Sequence, residues 1–396
     1  MLVSRIFAPE PAAASFRLWA LTEALRRLSA TVSVLTVRPT QSAAEASPGG
    51  PGVDLPDGVT VSRWPVLRDA TGVVRGYVQY MSFDLPLALR LLVARRPDVV
   101  VSEPPPTTGV VVRLVCALRR VPYVYYAADV WSDAAASTGA PGAVVRVVTA
   151  LERFALRGAR AVVAVSDGVA ERIRDLSVDD AQVTVVRNGI DTTVFTPDGP
   201  RHPRSDHAPY LLYAGTASEW QGAEIFVEAL ARVRETVPGA RVVFLGQGSA
   251  WPAMRQTADT LGLGASTQAV TFVDATPPAE AAAWLRGAHG ALVSLRPGQG
   301  YDFAFPTKVL AAVACGTPVL YAGPGPAGPV VTDGDLGTAT AYDVAEVAEA
   351  MTGMLRAGRP TPAERERLAE WVRLHASAER AGDLAADVVR AAARPR

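Results

Sequence analysis

The feature that most limits the fold is an alternation in which short, nearly continuous apolar runs are each followed by a stretch with helical periodicity. In the first half these runs lie at 1–7, 31–37, 59–64, 97–105, 122–129, 159–166 and 182–191. Helices are expected at 15–28, 78–95, 108–120, 143–157 and 167–176. A strand that is apolar on both faces must be covered on both, and strands joined through helices run parallel. The pattern therefore predicts an α/β fold with a doubly wound parallel sheet. It then repeats, with strands at 210–215, 241–246, 269–274, 290–295 and 317–323 and helices at 222–236, 278–287, 343–357 and 362–394. A second sheet of the same kind is expected. On the first helix, Phe16, Trp19, Leu21, Leu25 and Leu28 form the expected inner face.

At 396 residues the chain exceeds one ordinary core. We expect a first domain over 1–197, a proline-rich linker over 198–209, a second domain over 210–370 and a C-terminal helix, 371–396, packing back on the first domain. Residues 38–58, rich in Pro, Gly, Ser and Ala, read as a mobile surface loop, and 129–142 as a polar loop. Two such domains facing each other would set the carboxyl ends of their strands, where ligands bind in open α/β sheets, on a shared cleft.

Basic and acidic residues balance at 39 each, which argues against a nucleic-acid binder, a class that carries a net basic face. Cys116 and Cys315 sit in apolar segments and read as free buried thiols. No uncharged apolar run approaches the ~20 residues that cross a bilayer, and the start MLVSRIFAPEP is a poor signal peptide. A cytoplasmic protein is expected. The basic helix 143–157 carries Arg146, Arg153 and Arg157 beside Val144, Val147, Val148 and Leu151, a composition open to weak contact with the inner face of a membrane. Because Glu152 interrupts the charge, a solvated face over a core stripe is the favoured reading.

The stretch YDFAFPTKVLAAVACGTPVLYAG (301–323) draws the most attention. Pro306 suits a helix start and Thr307 its cap, so backbone N–H groups of the first turn are expected to face outward. Lys308, in that turn, is the only lysine; the other 38 of the 39 basic residues are arginine. A cation there is repelled by the helix dipole, and a bound phosphate would resolve the conflict. Strand exits at Gly215, Gly246 and Gly323 allow a close approach of ligand to backbone. Together these residues suggest a pyrophosphate cradle. Asp333 and Asp335 read as turn chemistry, with no metal expected.

The motifs VVRNGIDTTVF (185–195), YAGTASEWQG (213–222), VVFLGQGS (242–249) and FPTKVLAAVACGTPV (305–319) resemble those of the family-4 retaining glycosyltransferases. FAPEPAAASFR (7–17) and YAADVWSD (126–133) are similar to a bacterial subgroup that transfers amino or deoxy sugars. The resemblance implies a GT-B fold of two Rossmann-like domains. It also implies a metal-independent, cofactor-free transfer of a hexosyl or N-acetylhexosaminyl group from a nucleoside-diphosphate sugar to a lipid-linked saccharide or a natural-product aglycone.

On that resemblance Gly215, Thr216, Gly246, Thr307, Lys308 and Val309 would hold the diphosphate. Val273 and Asp274 would lie against the base, and Tyr301, Asp302 and Phe303 against the sugar. Arg17 and Asp129 would face the cleft, although Arg17 also reads as a solvated helix residue and Asp129 as a helix cap. Asn188, Gly189 and Asp191 would form the turn at the domain junction. The family's usual glutamate is replaced by Ala311, which removes a ribose-binding carboxylate and suits a thymidine-type donor. No histidine precedes His202, so the leaving phosphate oxygen would take the acceptor proton while the protein stabilises the departing charge. A nucleotide-sugar 2-epimerase of the same fold and a degenerate nucleotide-sugar-binding protein remain the alternatives.

Overall fold

The computed structural model describes residues 1–393 other than 11, 40–54, 56, 70–73, 75, 138–139, 177, 207 and 265. Most of the expected loop at 38–58 lies outside the described residues. The chain divides into two compact units, one of Met1–Asn188 with Ala378–Arg396 and one of Gly189–Ser377.

The first unit is built on seven parallel strands: β1 (Leu2–Val3), β2 (Val32–Val37), β3 (Val59–Trp64), β4 (Val100–Ser102), β5 (Tyr123–Ala127), β6 (Ala161–Ala164) and β7 (Val183–Val185). Their order is β3-β2-β1-β4-β5-β6-β7. The order reverses between β1 and β4, whose registers pair Leu2 with Val101 and Val3 with Ser102. Both faces are apolar, as the continuous runs demand. One packs Val3, Val100, Tyr125 and Val162 against the helices α1 (Tyr77–Val93), α2 (Pro106–Arg119) and α3 (Gly142–Arg157). The other packs Leu2, Val34, Val101 and Val163 against Leu18 and Leu21 of the helix Ala13–Arg27 and Ala385 and Val389 of the helix Ala378–Ala392. Phe16 and Leu28, both expected on the inner face, are exposed: the buried side of the helix runs through Ser15, Leu18, Leu21, Thr22 and Ala24, and Leu28 lies past its last residue.

The second unit repeats the plan with β8 (Tyr210–Thr216), β9 (Arg241–Gln247), β10 (Val270–Asp274), β11 (Gly290–Ser294), β12 (Val319–Ala322) and β13 (Gly337–Thr340). Their order, β10-β9-β8-β11-β12-β13, reverses between β8 and β11. Cys315 lies in its core and Cys116 in that of the first unit; both are free thiols that burial pushes up to about 12.

Three expectations are corrected. Residues 198–206, expected as a linker between the domains, lie within the second unit: His202 stacks on Trp284 with ring centroids 3.9 Å apart, and the Arg286 Nε donates to the Pro200 carbonyl at 2.9 Å. The expected loop after β5 holds a helix, Trp131–Ser137. Its first amides, Trp131 N and Ser132 N, donate to the Glu152 carboxylate at 2.7 and 3.0 Å, so Glu152 is buried rather than set in a solvated face. Finally, the long terminal helix is two helices, Pro362–His375 and Ala378–Ala392. The break is fixed from outside: Ile190 N donates to the Ala376 carbonyl at 2.9 Å and Ile190 bridges to Ser377.

Candidate functional site

In the second unit the reversal of strand order opens a gap between the carboxyl ends of β8 and β11, the place where ligands settle in sheets of this type. Lys308 reaches it. Its Nζ donates to the Tyr213 hydroxyl at 2.6 Å and to the Thr216 carbonyl at 2.9 Å, and lies 4.1 Å from the centre of the Tyr213 ring. Both hydrogen-bond partners are uncharged. Burial drives the Tyr213 phenol far above its ordinary value, so it supplies no anion. Among the described residues no carboxylate forms an ion pair with Lys308. Desolvation therefore pulls the ammonium down to about 7.

The surrounding glycines divide into two kinds. Gly215, Gly246 and Asp274 share one register row at or one residue before the ends of three adjacent strands. All three exit glycines have positive φ, +123° at Gly215, +139° at Gly246 and +136° at Gly323. A Cβ on Gly246 would fall 2.4 Å from the Gly215 carbonyl oxygen, and one on Gly323 2.1 Å from that of Leu295. The packing of neighbouring strand ends is by itself enough to require glycine at these two positions. Gly215 differs: its Cβ would meet only Lys308, at 3.5 Å or more. The space beside the lysine is thus kept open by Gly215.

The start of the Lys308 helix differs from expectation. Thr307 is itself helical, with φ −61° and ψ −17°, and makes no capping bond through its side chain. Val309 is fully buried in the core, and its N–H donates to the Pro306 carbonyl at 3.1 Å, so neither part of it faces outward. In the loop before it, Tyr301 stacks on Trp220 with centroids 4.5 Å apart, Asp302 accepts from Gly298 N at 3.1 Å, and Phe303 is exposed. Val273 is half-buried and Asp274 exposed at the end of β10.

The first unit has its own polar centre at its own reversal point. Arg17 forms a buried ion pair with Glu103, just past β4, its Nη2 2.5 Å from Oε1. Ser4, just past β1, donates to the other Glu103 oxygen at 3.0 Å, and the Arg17 Nη1 donates to Asn188 Oδ1 at 3.3 Å. Burial would lower the Arg17 guanidinium, but the Glu103 charge outweighs it and holds the group above its ordinary value. Partial desolvation raises the Asp129 carboxyl, and the Arg17 charge opposes the rise. Asp129 is not the cap of the helix that follows; Glu152 takes that place. Asp191 accepts from the Thr193 amide at 2.9 Å in a local turn, and Gly189 opens the second unit. Glu103 and Tyr213 were not singled out by sequence. Glu103 ends an apolar run before three prolines, which was the one available signal; Tyr213 reads as ordinary strand core.

Two family models match the chain, the glycosyl transferase 4-like domain over residues 13–189 and the glycosyl transferases group 1 over residues 208–357. The chain belongs to these glycosyl transferases. It is 31% identical over 233 residues to glycogen synthase of Mycobacterium tuberculosis, which covers 57% of this chain and 54% of that one. It is also 31% identical over 221 residues to D-inositol 3-phosphate glycosyltransferase of Mycolicibacterium paratuberculosis, covering 53% and 47%. The chain therefore spans about half the length of the curated relatives it matches. Among solved structures, HepE of Anabaena in complex with UDP superposes with a TM-score of 0.70 at 16% identity, covering 98% of this chain and 99% of that one. Sucrose-phosphate synthase of Thermosynechococcus elongatus gives the same score and identity over 98% of each chain. These likenesses establish the GT-B fold.

Proposed function

We propose that this glycosyl transferase is a retaining, metal-independent enzyme that moves a hexosyl or N-acetylhexosaminyl group from a nucleoside-diphosphate sugar to a hydroxyl acceptor. The observation that carries the donor is Lys308. A cation held on neutral partners at the reversal point of the sheet, beside a glycine that leaves room, is matched by an anion. The match to proteins that act on sugars supports the reading, as does the fold shared with a protein crystallised with UDP. In this scheme Lys308, Gly215 and Thr216 hold the diphosphate, Val273 and Asp274 border the base, and Tyr301, Asp302 and Phe303 border the sugar. As the glycosidic bond to phosphate lengthens, negative charge grows on the leaving oxygen. Lys308 stabilises that charge, and the same oxygen accepts the proton of the incoming hydroxyl. In the first unit, Arg17, held by Glu103 and joined to Asn188, serves as a fixed positive charge with Asp129 nearby.

Ala311 offers no carboxylate for a ribose hydroxyl, which favours a thymidine-type donor. The acceptor is a lipid-linked saccharide or a small aglycone. The same fold also serves 2-epimerases, so the product decides the class. Purified protein is incubated with nucleotide sugars and candidate acceptors, with and without EDTA, and products are followed by NMR. Transfer with the donor's anomeric configuration kept, and insensitive to chelation, is expected. An inverted product, dependence on a metal, or an epimerised free sugar with no transfer would each refute this assignment.

A further inference from the structure

Helix α1 has the wrong outside for a solvated helix. Its inner face, Phe83, Leu87 and Leu91, packs on the sheet with α2 and α3. The opposite face carries Val78, Met81, Leu85, Leu89 and Leu92, spaced by three and four residues and all exposed, Val78 by 65%, Leu85 by 67% and Leu89 by 55%. The only charged residues of this helix, Asp84 and Arg90, are both turned inward: Asp84 accepts from the Thr108 hydroxyl at 2.5 Å, and Arg90 donates to the Ser62 carbonyl at 2.6 Å. A helix of 17 residues, about 25 Å long, therefore shows solvent an unbroken apolar stripe.

The neighbouring helices on the same face of the sheet extend it. Leu114 and Leu118 of α2 and Val147 and Phe154 of α3 are exposed, Leu118 by 74%. Every charge that reaches solvent on the three helices is an arginine: Arg113, Arg119, Arg146, Arg153 and Arg157. The two carboxylates on them, Asp84 and Glu152, are both buried. The sequence offered Glu152 as the residue interrupting the basic face, and the fold removes it from that face. In a chain with no net charge, this is a segregated surface, apolar along one helix and positive alongside.

We propose that this face of the first unit docks on an anionic lipid surface, with the α1 stripe entering the interface and the arginines of α3 meeting lipid phosphates. The charge selects the occupant. Two copies joined through this face by a two-fold axis would oppose the same arginines with no exposed carboxylate on these helices to meet them, whereas an anionic bilayer neutralises them. The proposal does not depend on the donor chemistry, since none of these residues belongs to either polar centre.

The test is flotation of the whole protein with vesicles of phosphatidylcholine alone or with about 30% phosphatidylglycerol, in about 0.1 M NaCl. Three proteins are compared: the natural one, the triple variant Leu85→Gln, Leu89→Gln, Leu118→Gln, and the double variant Arg146→Gln, Arg153→Gln. Unchanged melting temperature and unchanged response to a nucleotide sugar certify that the variants fold. The natural protein is expected to float with the anionic vesicles, and each variant to bind them about tenfold less well. Raising the salt should weaken the natural protein further. No binding to anionic vesicles, or equal binding by all three proteins, overturns the proposal. A concentration-dependent dimer that the leucine variant abolishes also overturns it, by giving the face to a second copy.

Discussion

Lys308 makes a quantitative prediction about protons. Its ammonium titrates at about 7 in the ligand-free protein, against the ordinary 10.5, a difference that corresponds to roughly 5 kcal/mol against the charged form. A diphosphate beside it supplies the missing counter-charge and restores protonation. At pH 8 most of the free protein lacks this proton, so binding should draw most of one proton per site from solution. Affinity should then fall about tenfold for each pH unit above 7 until the pKa of the complex is reached. Calorimetric titration with a nucleotide sugar in two phosphate-free buffers of different ionisation heat, HEPES and Tris, at pH 8 reads the uptake directly from the difference in heat. The sign for stability is opposite. Between pH 7 and 10.5 the unfolded chain holds the proton and the folded one does not, so the ligand-free protein gains stability as pH rises across that window, by up to about 1.4 kcal/mol per unit. Lys308→Met should accordingly bind donor far more weakly, take up no proton, and yet be more stable without ligand at pH 6, by about 1–3 kcal/mol. Zero uptake in the natural protein, together with a pH-independent dissociation constant between 7 and 9, would refute the reasoning.

Three further outcomes are expected. Glu103→Gln leaves the buried Arg17 guanidinium without its partner and should cost about 3 kcal/mol in urea denaturation, whereas the paired change Arg17→Met with Glu103→Leu should recover much of it. Gly246→Ala drives a Cβ toward the Gly215 carbonyl oxygen, 2.4 Å away, at a positive φ, and should destabilise by about 3 kcal/mol; stability equal to the natural protein would contradict the strand-packing role. Turnover compared across uridine, guanosine and thymidine diphosphate sugars should favour thymidine, and a clear preference for a ribonucleotide would end the account of Ala311.

The sheets were legible because a strand buried on two faces shows itself as a continuous apolar run, and a run at 241–246 needs no partner to be recognised. Lys308 was legible for a different reason: a single lysine among arginines at a helix start is odd without any structure. What could not be read were features created by residues distant in sequence. Glu152 caps a helix that begins 21 positions earlier, at Trp131, and nothing local marks it as buried. The terminal helix is interrupted by Ile190, which no propensity of 376–377 foretells. The direction of Phe16 was lost because Ser15 and Thr22, polar on any scale, occupy the inner side. Capping chemistry misled at Thr307, where the helical backbone begins one residue sooner than the cap requires.

The helix Ala378–Ala392 belongs to the first unit although it follows the whole of the second in sequence. It approaches the helix Ala13–Arg27 so closely that a Cβ on Gly382 would stand 2.4 Å from the Ala20 carbonyl oxygen, and its Ala385, Ala386 and Val389 complete that layer. The second unit thus holds its whole core in the contiguous stretch 189–377, whereas residues 1–188 cannot complete theirs until that stretch has been made, a departure from simple vectorial folding. A released chain truncated after Ser377 should show a protease-resistant later unit and an earlier one that is still cleaved, its Leu18 and Leu21 awaiting cover.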